Sequence, residues 1–537
     1  MSKRRWGEAG LFVFAIVVLM GIFSSNAAAE MDTSFHGFFE SSFVLRDTTG
    51  IQNGFFDQTE GVQQRNTLKF DIDIDPKLNW GSFAVEKVHL TFRGAYDSIF
   101  DLRANEYNIK ENLGASRFDY GLKDIRFESD LREAFIDFSY KGSIGRAFFR
   151  PGRQIVSWGE GMLETLNDVI NPPDNSFNLF FQNPDDVKTP LWMGRLNYSL
   201  PTMANLGLNF DLLLIPDIRP TQFGPLDTAT TYNSEGQLEA PYSKILPFAD
   251  NSGIAKFRYN VPTDNNEYGA KVSAEIGDRL SLSFVYFRDV VNEPSVIVKD
   301  FRPNPTFFNL PFPTTAEMNY NKQHVYGAYF SYQLLTFGME AIVRGEVSRY
   351  TAYPIGLPRS SYKTVMTAAG PEQYTFEYHP VTKTMLAVDK DLRLRWLSKD
   401  LTKVSVEWIH KTINEWNGYL SDPHYVPHYE GTTLVTSPAK TLRYDRRNMR
   451  EQDVFMLQFM TYWWASKLNP MLVVGVNPGK HGEGTTYLLK PSIKWYITST
   501  LYTDLKMQAF LGDKDACYGF ADGIETSEAT IKLGYEW

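Results

Sequence analysis

Cysteine is nearly missing from this chain. Cys517 stands alone among 537 residues, so no internal disulfide and no cysteine metal cluster can form, and no Cys-x-x-Cys-His motif offers a haem attachment. Long apolar runs are missing too. The longest, Leu11 to Phe23, has 13 residues, where a helix needs about 20 to cross a bilayer. A helical membrane protein is therefore excluded. Basic residues are the minority, 54 Lys and Arg against 63 Asp and Glu, which argues against a nucleic-acid partner. No Gly-x-Ser-x-Gly elbow is present to suggest a hydrolase of that type.

What is present begins with an export layout. Lys3, Arg4 and Arg5, the apolar run and Ala27-Ala28-Ala29 read as a secretory signal, residues 1–29, cleaved after Ala29. Its removal takes away three basic groups and Glu8, leaving 51 basic against 62 acidic groups and a net charge of −11. Residues 30–537 are then read as a single domain.

That domain alternates with period two. Leu68, Phe70, Ile72 and Ile74 interleave with Lys69, Asp71, Asp73 and Asp75; Leu206, Leu208, Phe210, Leu212 and Leu214 enclose Gly207, Asn209 and Asp211. Such strands have one apolar and one polar face. Connection lengths separate a sandwich from a barrel. Tight turns such as Gly142-Ser143 and Gly277-Asp278 alternate with long links such as 97–128, 158–189 and 217–264. The pattern predicts an all-β, transmembrane antiparallel barrel of about 18 strands, with 16 as the alternative, short periplasmic turns and long extracellular loops. Strands are expected at 336–349 and 383–396 among others. The last strand ends on Tyr535 and Trp537, which resembles the assembly signal of Gram-negative outer-membrane proteins. The expected location is the cell outer membrane. The expected partners are outer-membrane lipid and lipopolysaccharide, the barrel-assembly machinery and, further off, envelope lipid-transport proteins.

A charge on the lipid face would cost roughly 2–4 kcal/mol at the midplane, so the polar alternates must face the lumen. One stretch departs from the strand pattern. After Gly152-Arg153-Gln154 the chain runs through Trp158-Gly159-Glu160 to Asn171-Pro172-Pro173-Asp174. Met162, Leu163, Leu166, Val169 and Ile170 fall at helical spacing, and the prolines stop that helix. Residues 158–188 are read as one loop folded inward after strand 5, a constriction or a plug. Its expected site residues are Arg153, Glu160, Glu164, Asp168 and Asp174, facing wall residues Arg344, Arg393 and Arg395; as a plug, Arg153 would pair with Glu160. Greasy loop stretches add an apolar lining: Phe177, Phe180, Phe181, Phe307, Phe308 and Phe312. No cofactor is expected. Nor is a metal: His424 and His428 sit four apart, but Pro427 prevents the helix that would put both on one face. Arg443, Arg446, Arg447 and Arg450 read as a solvated loop face, and Gly479 to Thr485 as a glycine-rich hairpin loop.

The Gly152-Arg153-Gln154, Trp158-Gly159-Glu160 and Asn171-Pro172-Pro173-Asp174 motifs resemble a family of Gram-negative outer-membrane proteins known only as a domain of unknown function. That resemblance implies a porin-type barrel over the whole mature chain. It also implies an association with envelope lipid handling or uptake of poorly soluble organic compounds. The expected function is passive passage of small or poorly soluble organic solutes. The alternatives are a non-conducting barrel in lipid or surface-polymer export and, third, an outer-membrane hydrolase.

Overall fold

The computed structural model describes residues 31–537 apart from 48–58, 103–126, 162–164, 175–186, 204, 220–255, 261–265, 292–294, 305–309, 336–339, 357–362, 369, 375, 417–422, 425–427, 431–432, 436–442, 445–449, 479–484 and 513–527. The signal reading lies outside the described residues.

Alternating side chains make long strands, and each strand pairs antiparallel with its neighbour in sequence. In chain order they are β1 Asp32–Asp47, β2 Thr59–Asp75, β3 Phe83–Asp97, β4 Phe127–Gly142, β5 Gly145–Gln154 and β6 Leu191–Ser199. Then come β7 Leu206–Ile215, β8 Glu267–Ile276, β9 Leu280–Val290, β10 Lys322–Leu334, β11 Ala341–Gly356 and β12 Phe376–Leu392. The last are β13 Thr402–Ile413, β14 Glu451–Thr461, β15 Leu468–Asn477, β16 Thr486–Tyr496, β17 Leu501–Gly512 and β18 Glu528–Glu536. A short segment, Leu78–Trp80, continues β2 beyond Pro76 and Lys77, where Lys77 takes φ 50. The strand count is thus 18, not 16.

β1 pairs with both β2 and β18, which closes the sheet and leaves it without an edge. The closure runs to the last residue: Trp537 N donates to Gly37 O at 3.1 Å. Gly37 is needed there, because a Cβ would sit 2.6 Å from the Trp537 ring. Tyr535 and Trp537 are both exposed on the outer surface.

The alternation sorts by face as expected. Leu212, Leu214, Phe284, Val347, Leu386, Val406, Leu457, Ile531 and Leu533 are exposed, while Asp211, Glu346, Ser348 and Glu407, on β7, β11 and β13 among these strands, are buried. A soluble sandwich would show the reverse. Inward charges of opposite sign pair along the wall: Arg150 with Asp137 at 2.6 Å, Arg195 with Asp211 at 2.7 Å, Lys69 with Asp71 at 3.2 Å and Lys87 with Asp73 at 2.7 Å.

Two expectations about the strands fail. β12 starts at Phe376 and ends at Leu392, because its ladder with β13 finishes at Leu392 opposite Thr402. Residues 393–401 are the turn beyond it. The long links also contain a second sheet that the loop reading missed. Its strands are Lys256–Asn260, Ser295–Asn304, Leu310–Asn319, Lys363–Thr367 and Gly370–Tyr374.

Candidate functional site: the loop between β5 and β6

The chain leaves β5 at Gln154 and rejoins the wall at Leu191. Its stem is sewn to the barrel by the sequence motifs themselves. Gly152, at φ 140, brings β5 against β4; a Cβ would lie 2.3 Å from Ala134 O. Arg153 reaches sideways and grips Asp130 with two parallel bonds, 2.7 and 3.1 Å, while its Nε donates to Pro190 O. Such a fork fixes direction as well as charge. Asn171 Oδ1 accepts from Val156 N at 2.8 Å, and its Nδ2 donates to Thr189 O at 2.9 Å. The prolines that follow cannot donate, but Pro172 O still accepts from Thr189 N at 2.9 Å. Residues 171–174 and 187–189 thus form a short two-sided neck.

Beyond the neck the loop lies against inward faces of the wall. Trp158 is 1% exposed and packs edge-on to Phe287, with Lys271 5.6 Å over its ring and its Nε1 donating to Asp211. β8 makes room by carrying Gly269, where a Cβ would come within 2.8 Å of the indole. Ile170 joins Trp158 in an apolar cluster with Met193, Val285 and Val325. Leu166 is buried against Met385 and Ile409, on β12 and β13. The loop therefore spans several strands of the wall.

Its latch is Glu346 on β11. The buried carboxylate accepts from the backbone N–H of Glu160, Gly161, Leu166 (2.8 Å) and Asn167 (3.3 Å), and from Asn167 Nδ2. Neighbours on the same face help: Ser348 Oγ donates to Asn167 Oδ1 at 2.6 Å and Tyr350 Oη to Leu166 O at 2.5 Å. Gly159, at φ 112, is the residue that lets the backbone close round the carboxylate, since a Cβ there would meet Thr165 at 2.3 Å and Glu346 at 2.7 Å. These bonds replace the expected helix. Residues 165–170 form a turn and irregular backbone, in which the Leu166 and Asn167 N–H groups point at Glu346 instead of at carbonyls one turn back.

The expected charges divide. Arg344 does reach the loop, donating to the Glu160 carbonyl while Asp389 holds its Nε at 2.5 Å. Burial pushes the Glu160 carboxyl above the usual carboxylate range, opposed by nearby Arg344. Asp168 pairs with Lys188, which also donates to Ser157; burial raises its carboxyl too, and Lys188 opposes the rise. Asp174 sits in the neck, its N donating to Val187 O at 2.6 Å. The Arg153–Glu160 pair does not form, because Asp130 lies nearer to hand across β4. Arg393 and Arg395 do not face the loop: they are exposed in the turn after β12. Glu164, Phe177, Phe180, Phe181, Phe307 and Phe308 lie outside the described residues, as does the side chain of Phe312, which stands opposite Arg302 in the loop sheet. Sequence reasoning missed Glu346, Asp130, Lys188, Gly269 and Gly327. Only alternation marked Glu346, placing it beside Arg344 on the lumen face.

These features define a class: a closed barrel of 18 antiparallel strands with one loop locked inside. The family model described as "Protein of unknown function (DUF1302)" matches residues 23–535, and the chain belongs to that family. No curated protein matches. Among solved structures, the chain is similar to Acinetobacter baumannii OccAB3, with 10% identity, a TM-score of 0.45, and 94% of this chain and 99% of that one covered. It is also similar to OccAB1 of that species, with 11% identity, TM-score 0.44 and 95% and 98% covered. A third is Pseudomonas aeruginosa OccK8 (OprE), with 9% identity, TM-score 0.43 and 94% and 98% covered.

Proposed function

We propose that the protein is an outer-membrane channel through which small or poorly soluble organic solutes diffuse passively. The exposed apolar belt over buried inward polar groups supports a bilayer location, since hydrocarbon cannot solvate charge or unpaired backbone. Tyr268, Tyr286 and Tyr326, with Arg288 5.5 Å over the Tyr268 ring, suit an interfacial girdle touching lipopolysaccharide. The long links would then face outward and both chain ends the periplasm. A terminal strand with Tyr535 and Trp537 on its outer side suits recognition by the barrel-assembly machinery after export on the signal at residues 1–29.

The single observation that carries the channel reading is the latch. Loop residues Glu160, Gly161, Leu166 and Asn167 are held on the lumen face of β11 by one carboxylate, which lies two residues along the strand from Arg344 and its partner Asp389. A loop fastened flat against one arc of the wall narrows the lumen on that side, and Glu160 and Arg344 supply charges where it does so. Selectivity would come from that pair and from the apolar stretches.

The test is planar-bilayer recording of the purified barrel. Stepwise conductance is expected, and deleting residues 161–170 should enlarge each step. A folded wild-type barrel that passes no current would refute the channel and favour a role in lipid or surface-polymer export. Equal steps in the folded deletion variant would remove the loop as constriction.

A further inference from the structure

The outer face of the wall carries charge along one arc, β8 to β12. The ladders fix which side chains share each row there. One row runs Ala270, Tyr286, Tyr326, Arg349 and Thr382; the next, toward the long links, runs Tyr268, Arg288 and His324. These positions alternate along their strands with buried Phe287, Asp289, Gln323, Val325 and Ser348, so they face away from the lumen. The row on the short-turn side is greasy, with Val272, Phe284, Ala328 and Val347; of these, Phe284 is 58% exposed. The cations therefore sit at the upper rim of the apolar belt.

Nothing on this face balances them. No Asp or Glu takes an outward position on any of the five strands. Among the described residues neither Arg288 nor Arg349 has an ion-pair partner, whereas Arg150, Arg195 and Arg344 inside the barrel each grip an aspartate. Farther round, the outer face balances itself: His410 of β13 bonds to Asp453 of β14 at 2.7 Å. On the β8–β12 arc the rings hold the cations in place instead. Arg288 lies 5.5 Å over Tyr268, and Tyr286 Oη is hydrogen-bonded to His324 Nδ1 at 2.9 Å.

Cations gathered against hydrocarbon repel one another and need a counter-charge from outside the chain. A phosphate meets the need, since guanidinium binds two of its oxygens at once. Arg288 and Arg349 stand two strands apart, about 10 Å across the sheet, which suits two phosphates on one headgroup. Phe284 and Val347 offer apolar surface directly beneath. The fitting partner thus has phosphate at the rim and acyl chains below it.

We infer that Arg288, His324 and Arg349 bind the phosphates of one lipid A, the diphosphorylated glycolipid of lipopolysaccharide, with its acyl chains against Phe284 and Val347. This deepens the lipopolysaccharide contact proposed above and rests on the bilayer location, not on conduction.

The test is native mass spectrometry of the full barrel, delipidated in neutral detergent with EDTA present and titrated with lipid A. One lipid A should be retained. The double variant Arg288→Gln, Arg349→Gln should retain it at least tenfold more weakly. Lys390→Gln, at the short-turn end of β12, should bind as the wild type does. Equal retention by the double variant overturns the site. So does wild-type barrel that holds dephosphorylated lipid A or phosphatidylglycerol as well as lipid A, a comparison that needs no variant. The bilayer location is read separately, by insertion of the refolded barrel into phosphatidylcholine liposomes. Failure to insert sinks the location and the site together; an inserted barrel with no preference for lipid A sinks the site alone.

Discussion

Glu346 is the side chain whose loss should most change this molecule without unmaking it. Glu346→Ala removes the acceptor for four loop N–H groups, those of Glu160, Gly161, Leu166 and Asn167. A buried donor left without an acceptor costs about 1–3 kcal/mol, so four set a bound of about 4–12 kcal/mol. The loop need not bear that cost, because it can swing away from β11 and bond to water. The latch then opens while the barrel ladder, which does not use Glu346 side-chain oxygens, remains. Even the lower figure corresponds to a shift of about a thousandfold in the closed-to-open ratio. Glu346→Gln should fall between, since one of its two oxygens becomes an NH2 facing two N–H donors. Hydrogen exchange reads this directly. The amides of residues 160, 161, 166 and 167 should exchange far faster in Glu346→Ala, while amides of β11 and β12 keep their protection. Heat-modified mobility on gels confirms the barrel. Unchanged exchange at all four positions in a folded variant would show that the carboxylate is not what holds the loop.

Three more outcomes are expected. Gly327→Ala puts a Cβ 1.7 Å from Asn167 Oδ1, so it should loosen the loop from β10, the strand paired with β11, and hasten trypsin cleavage after Lys188 in an otherwise intact barrel. Trp158→Ala empties a fully buried site and should lower loop stability by about 3–5 kcal/mol, read as the midpoint of loop release in urea followed by Trp and Tyr fluorescence. The third concerns pH. Glu160 has a carboxyl raised by burial, against the pull of Arg344. Between its free and its raised value the docked loop binds more protons than the released loop. Docking should therefore strengthen as pH falls through that window and weaken as pH rises through it. Cation preference, read from reversal potentials, should fall as pH falls through the same range, where Glu160 takes up its proton, and Glu160→Gln should show the low value at every pH.

Much of the fold was legible because strand facing is local. Whether Leu212 or Asp211 meets lipid is set by the pleat, and a period of two is visible in a handful of residues. The loop's place was legible as well. Gly152, Gly159 and the Asn171-Pro172-Pro173 break stand out in a strand-rich chain because they demand backbone that strands do not use.

The loop's conformation was not legible. Leu166 and Ile170 are buried as their spacing implied, yet without a helix, since their neighbours' N–H groups bond to a carboxylate about 180 residues downstream. Strand pairing hid the partner of Arg153, which is Asp130 on neighbouring β4, 23 residues back, and not Glu160. Arg393 and Arg395 alternate like wall residues, but ladder register with β13 leaves them in a turn.

Sequence alone determined which face of each strand is greasy, that the strands are many and joined alternately by short and long links, and where the chain turns inward. Tertiary structure decided which strand meets which charge, where each ladder stops, and that Glu346 closes on the loop. The reason is physical: side-chain alternation depends on adjacent residues, while hydrogen-bond partners across a lumen depend on the registers of all the strands between them.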